Sequence, residues 1–244
     1  MSITIAVSGK GGVGKTTVAA MIIRQLIGRG SKSVLAVDAD PNSCLGLAMG
    51  IEPKSTVADI REQSTGSAIK DTGMDRMRFF EYGIQQVLTE AKGFDLLTMG
   101  RPEGRGCYCS ANNILRKFMD EINQSYEFVV IDNEAGMEHL SRRTTNNVDL
   151  LCIVAESSYA GKVTARRIAE LVKKLPINIK RTGLIWNKTD TPPELSGIEL
   201  LGCVPNNDAV LNAAVNGQTI FELDKNNPAY AAVGRIMENS FLKN

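Results

Sequence analysis

Short apolar runs rich in β-branched residues recur at residues 3–7, 34–38, 95–99, 128–132, 150–155, 182–187 and 200–204. Most are apolar through much of their length rather than at every second position, which marks strands buried on both faces. Between them, apolar residues return at three- and four-residue spacing over 16–27, 77–91, 112–122, 162–175, 208–215 and 229–241, the period of a helix with one buried stripe. Repeated strand–helix units predict an α/β fold: one doubly wound, mostly parallel sheet flanked by helices, a single domain over 1–244. No internal repeat, Gly/Ser linker or shift of composition marks a second domain. The least periodic stretch, 53–75, mixes Ser, Thr, Gly and charges and reads as a mobile insertion rather than a linker.

Composition narrows the partners more than the fold. Hydrophobic residues make up 43% and charged residues 23% of the 244, enough apolar surface to offset chain entropy and exclude disorder. Lys plus Arg (28) against Asp plus Glu (27) leaves a net charge of +1, which supplies no general field for holding nucleic acid or an anionic membrane. No apolar run approaches the roughly 18 residues of a membrane span, and the opening segment lacks a basic flank and an apolar stretch of signal-peptide length. A cytoplasmic protein with neither nucleic acid nor membrane as partner is expected. Five cysteines are an odd number in a long chain, so a disulfide framework is not expected.

The strongest chemical signal follows the first strand. Gly9-Lys10-Gly11-Gly12-Val13-Gly14-Lys15-Thr16 fits G-x-x-x-x-G-K-[ST] between a strand and a helix, the context that makes a phosphate loop credible. Gly9, Gly11, Gly12, Val13 and Gly14 supply backbone N–H groups for phosphate oxygens, Lys15 bridges the outer phosphates, Thr16 can ligate Mg²⁺, and Thr17 lies next in the first helical turn. The same residues also spell G-x-G-x-x-G, the dinucleotide fingerprint. Lys15-Thr16 decides against it, because that fold needs neither an ammonium nor a magnesium-binding hydroxyl there.

Further carboxylates stand at later strand ends. Asp38-Ala39-Asp40-Pro41 closes the second strand, and carboxylates at i and i+2 of an extended segment share a side; a turn or cap role remains open for one of them. Asp132 closes an apolar strand and leads into Asn133-Glu134-Ala135-Gly136, which reads as a Walker B carboxylate and a second switch: Asp132 for a magnesium-bound water, Gly136 for a backbone N–H near the γ-phosphate. Asn187-Lys188-Thr189-Asp190 spells N-K-x-D, which leaves guanine and adenine nucleotides both open.

The second lysine, Lys10, makes the loop resemble that of the deviant Walker A ATPases. The resemblance implies that Lys10 reaches the phosphates of an opposing subunit in a nucleotide-sandwich homodimer. It also implies that Asp40 orients or deprotonates the attacking water while Asp38 supports the Mg²⁺ shell. Asn187 and Pro205 would then line an adenine pocket, which favours ATP over GTP.

Cys107-Tyr108-Cys109 follows a Gly-rich segment after a strand end, with Arg101 and Arg105 nearby to favour thiolates. One chain offers two ligands where a closed thiolate site wants four, so a twofold dimer placing both pairs on its axis is the economical solution. Cys152 and Cys203 sit in apolar strands and are expected in the core; Cys44 is also expected to pack, and His139 to make a helix-start hydrogen bond rather than bind metal. The basic residues of 162–181 read as a solvated face or a dock for an acidic partner.

Taken together, the phosphate loop, Asp38-Ala39-Asp40-Pro41, Gly100-Arg101-Pro102-Glu103-Gly104 running into Cys107-Tyr108-Cys109, and Asp132-Asn133-Glu134-Ala135-Gly136 with Glu138-His139-Leu140 resemble the nickel-insertion ATPases that mature carbon monoxide dehydrogenase and acetyl-CoA synthase (the CooC and AcsF type). That resemblance implies an ATP- and Mg²⁺-dependent homodimer holding Ni²⁺, or Zn²⁺, between paired Cys107 and Cys109. The acceptor of its nickel would be the apo form of one of those two enzymes. Two other functions compete. A partitioning or septum-placing ATPase would leave the Cys-x-Cys without a purpose. An iron–sulfur reductase like the nitrogenase iron protein would be expected to carry a second cysteine soon after Asp132, and residues 133–139 contain none.

Overall fold

The computed structural model describes residues 2–65, 76–101, 119, 122, 125–134 and 146–242. In chain order these form β1 (Ile3–Gly9), α1 (Lys15–Gly28), β2 (Val34–Ala39), α2 (Cys44–Met49), α3 (Val57–Thr65), α4 (Arg76–Gln86), β3 (Thr89–Ala91) and β4 (Phe94–Thr98). There follow β5 (Phe128–Asn133), β6 (Asn147–Glu156), α5 (Tyr159–Val172), β7 (Asn178–Asn187), β8 (Glu199–Val204), α6 (Asp208–Val215), a 3₁₀ turn (Ile220–Glu222) and α7 (Pro228–Ser240).

The strands make one eight-stranded sheet in the order β3-β4-β2-β5-β1-β6-β7-β8. Every pairing is parallel except β3 with β4, so the predicted doubly wound sheet is what forms. Alternate residues of each central strand feed two cores. Ile5, Val7, Ala36, Leu96 and Val130 pack with α1, α2, α6 and α7, while Ala6, Leu35, Val37, Val129 and Ile131 pack with α3, α4 and α5. Burial on both faces is why these runs are apolar throughout.

Three expectations are corrected. The stretch read as a helix over 77–91 is the helix α4 followed by β3, because Gly93, in a left-handed conformation at φ 91°, turns the chain back so that Ala91 pairs with Phe94. The aperiodic segment 53–75 contains α3, whose start is fixed by a reciprocal cap: the Thr56 backbone N–H donates to Asp59 at 2.7 Å and the Asp59 N–H to the Thr56 hydroxyl at 3.2 Å. Its Val57, Ala58 and Ile60 are buried. Helix α5 begins three residues earlier than its apolar period, at the Ser158 cap, whose hydroxyl accepts from the Gly161 N–H. The helix expected over 112–122 lies outside the described residues save for 119 and 122, both helical.

The topology sets the site. Ligands in open α/β sheets bind at the carboxyl ends of the strands, where the strand order changes direction. Here β1 lies between β5 and β6, and the chain leaves it at Gly9 for the loop into α1.

Candidate functional site

Helix α1 starts with no side-chain cap. Its cap residue is Gly14, left-handed at φ 92°, so the backbone N–H groups of the first turn remain available to an anion, reinforced by the positive end of the helix. The glycines are required by what surrounds them. A Cβ on Gly9 would stand 2.2 Å from the Val154 carbonyl oxygen, and one on Gly14 would stand 2.3 Å from Asn187 Nδ2. Lys15 is buried at the head of the helix, while Lys10, Gly11 and Gly12 are exposed.

The strand ends deliver the carboxylates. Asp38 and Asp132 are register partners across β2 and β5, and Asp132 is also paired with Val7 of β1. Both are fully buried. Asp38 accepts from the Leu45 N–H at 2.8 Å and the Asp40 N–H at 3.3 Å; burial nonetheless pushes its carboxyl up to about 6, against the pull of these bonds. Neither oxygen of Asp132 has a hydrogen bond of ordinary geometry. Burial pushes Asp132 up to about 7; the Thr16 hydroxyl draws it down, Asp38 raises it, Lys15 lowers it and Asp40 raises it again. Asp132 is therefore within electrostatic reach of Thr16, Asp38, Lys15 and Asp40.

A carboxylate stripped of water with no protein donor is costly unless a cation or water completes it. The orphaned Asp132 oxygens beside the Thr16 hydroxyl and Asp38 form an all-oxygen donor set of the kind Mg²⁺ takes through one or two carboxylates, keeping several waters. Asp40 differs from the pair: it lies one residue beyond β2, and its Oδ1 accepts from the Asn42 N–H at 2.9 Å and from Asn42 Nδ2 at 2.8 Å. That is an Asx turn, which leaves the second oxygen of Asp40 for other partners.

Asn187 ends β7 as the register partner of Val204, so Asn187 and Pro205 come to the same sheet edge. Its side-chain amide donates to the Val13 carbonyl at 2.7 Å, tying the strand to the phosphate loop and leaving Oδ1 to accept. A cavity of about 480 Å³ opens beside Thr16 and Thr17, walled largely by apolar side chains of α2, α6 and the 3₁₀ turn.

The site lies within a recognised sequence family. Residues 4–220 match the CobQ/CobB/MinD/ParA nucleotide binding domain. The chain belongs to this family. An uncharacterised ATP-binding protein of Methanocaldococcus jannaschii is 42% identical over 245 residues, covering 96% of each chain. The carbon monoxide dehydrogenase accessory protein CooC of Rhodospirillum rubrum is 33% identical over 256 residues, again covering 96% of each. Among solved structures, the MinD cell division protein of Aquifex aeolicus shares the fold at a TM-score of 0.72 and 22% identity, covering 100% of this chain and 98% of that one.

Within this nucleotide-binding domain, Cys152 is in the core as expected, whereas Cys203 is only partly buried and packs against the core on the other face of the sheet. Cys44 is a correction: it is exposed, at the first position of α2 and on the wall of the large cavity. Partial burial and then the charges of Asp38, Asp40 and Asp132 push its thiol up, against the pull of Lys15. Cys107, Cys109, Gly136 and His139 lie outside the described residues. Among the described residues no helix is long and apolar enough to cross a membrane. Sequence reasoning missed Glu156 and the direction of Lys188, whose ammonium turns back to Glu156 at 2.7 Å and to the Gly12 carbonyl at 3.3 Å.

Proposed function

We propose that this chain is an ATP-hydrolysing metallochaperone that carries nickel to carbon monoxide dehydrogenase or acetyl-CoA synthase. The observation that carries the reading is the 33% identity to CooC, spanning 96% of both chains, in a sequence that also holds Cys107-Tyr108-Cys109. ATP rather than GTP is supported by the relatives named as ATP-binding proteins and by Asn187, whose free Oδ1 can accept from an adenine amino group.

In this reading the uncapped first turn of α1 and the backbone of residues 9–14 hold the phosphates, and Lys15 neutralises the outer ones. Thr16 and Asp132, with Asp38 behind them, would hold Mg²⁺, which when bound supplies positive charge to the phosphate oxygens. Asp40 positions the attacking water through the oxygen that the Asn42 turn leaves open. Thr17 continues the phosphate contacts, Gly136 offers a backbone N–H to the γ-phosphate, and Lys10 extends from the exposed side of the loop toward the nucleotide of a second copy. Hydrolysis would then be coupled to the homodimer, whose axis brings two Cys107/Cys109 pairs around one Ni²⁺ or Zn²⁺ as cargo.

Cys107→Ser and Cys109→Ser are expected to abolish bound metal while ATP affinity stays at the wild-type value, read by elemental analysis and calorimetry on the same samples. Wild-type metal content in both variants would overturn the proposal.

A further inference from the structure

Lys188 is a non-glycine residue in the left-handed conformation, with φ 60°, a placement that costs an L-residue about 1–2 kcal/mol. What its side chain gains in stability is small. The ion pair with Glu156 has side chains 46% and 43% exposed, and exposed pairs contribute about 0–1 kcal/mol. Strain that is kept without a stability return points to the geometry it secures.

That geometry belongs to the phosphate loop. From the end of β7, Lys188 Nζ donates to the Gly12 carbonyl at 3.3 Å and Asn187 Nδ2 donates to the Val13 carbonyl at 2.7 Å. Two successive carbonyls are thus held from one side. In a trans peptide the C=O and the following N–H point in opposite directions, so fixing these two carbonyls turns the Val13 and Gly14 N–H groups away from β7. Glu156, the last residue of β6, holds the ammonium from its other side at 2.7 Å. The missing Cβ of Gly14 is what lets the Asn187 amide come this close.

We infer that Lys188, anchored by Glu156, is a positioning residue that acts with Asn187 to preset two backbone N–H groups of the loop for the phosphate oxygens of a nucleoside triphosphate. This rests on reading residues 9–16 as a phosphate loop. A preset loop stabilises bound substrate and transition state alike, so losing it raises KM and leaves kcat in place.

Lys188→Gly separates this from a structural role, because glycine accepts φ 60° without strain while removing the ammonium. The expected result is a Tm unchanged or raised, a KM for MgATP up about tenfold and a kcat within about twofold of wild type. Lys188→Arg, which keeps a cation for Glu156 and Gly12, is expected to hold KM within about threefold, and Glu156→Gln to give an intermediate rise. A Lys188→Gly enzyme with wild-type KM overturns the inference, as does one in which Tm and kcat fall together with KM unchanged. Calorimetry on wild type distinguishes the two ideas: no MgATP binding there would overturn the phosphate-loop reading itself, whereas equal binding by wild type and Lys188→Gly overturns only the clamp.

Discussion

Asp132 places a measurable liability in the nucleotide-free protein. Its carboxyl is fully buried, with neither oxygen in a hydrogen bond of ordinary geometry, and is pushed from 3.8 up to about 7, chiefly by burial and against the pull of the Thr16 hydroxyl. A carboxyl raised in the folded state binds its proton there at pH values where the unfolded chain has released it, so stability is lost as pH rises from the unfolded toward the folded pKa. Between pH 5.5 and about 7 the loss runs at about 1.4 kcal/mol per pH unit, giving about 2 kcal/mol from this one group, after which the curve flattens. Asp38, raised to about 6, adds less than about 1 kcal/mol over the same range. Urea denaturation without nucleotide or divalent cation, at pH 5.5, 6.5, 7.5 and 8.5, measures this directly. Asp132→Asn cannot ionise, so its stability should vary over that range by about 2 kcal/mol less than wild type; the comparison cancels every other group that titrates. Parallel pH profiles for the two proteins would refute the reasoning, because they would mean that Asp132 is solvated or partnered in the folded state.

Two further substitutions probe how the site is held. Gly14→Ala meets a left-handed backbone and the Asn187 amide at 2.3 Å, so a loss of about 2–3 kcal/mol is expected in chemical denaturation, together with weakened nucleotide binding; unchanged stability would contradict the packing described. Arg24, buried in α1, donates to the Ile220 and Leu223 carbonyls at 2.8 and 2.7 Å and lies 4.3 Å from the Tyr230 ring centre. Arg24→Met should cost about 3–5 kcal/mol by leaving two carbonyls without donors, and a loss under about 1 kcal/mol would show that the wall of the large cavity does not depend on it.

The parts of the fold visible in the sequence are those with a local physical cause. Strands such as Phe128–Asn133 are apolar because both faces are covered, and the phosphate loop is spelled out by glycines that the close approaches of Val154 and Asn187 demand. The hairpin of β3 and β4 was hidden because residues 77–91 carry a helical period that runs on into Thr89–Ala91, and the turn rests on the single left-handed Gly93. Helix α3 had a readable start in Thr56-Val57-Ala58-Asp59, a reciprocal cap obscured by the polar residues around it. Cys44 resembles a packing cysteine in composition, yet as the first residue of a six-residue helix it faces outward. The N-K-x-D segment suggested base recognition, which Asn187 Oδ1 stays free to provide, but not that Lys188 Nζ and Asn187 Nδ2 donate to carbonyls more than 170 residues away in the chain, a pairing no local pattern carries.

The most direct measurement for the metal-carrying role is the nickel content per chain of size-separated monomer and dimer, prepared with ATP, with ADP and without nucleotide. The expected result is one ion per two chains, confined to the dimer and lost in Cys107→Ser. One tightly held ion per isolated monomer, or a dimer that binds ATP and holds no metal under any of the three conditions, would contradict it.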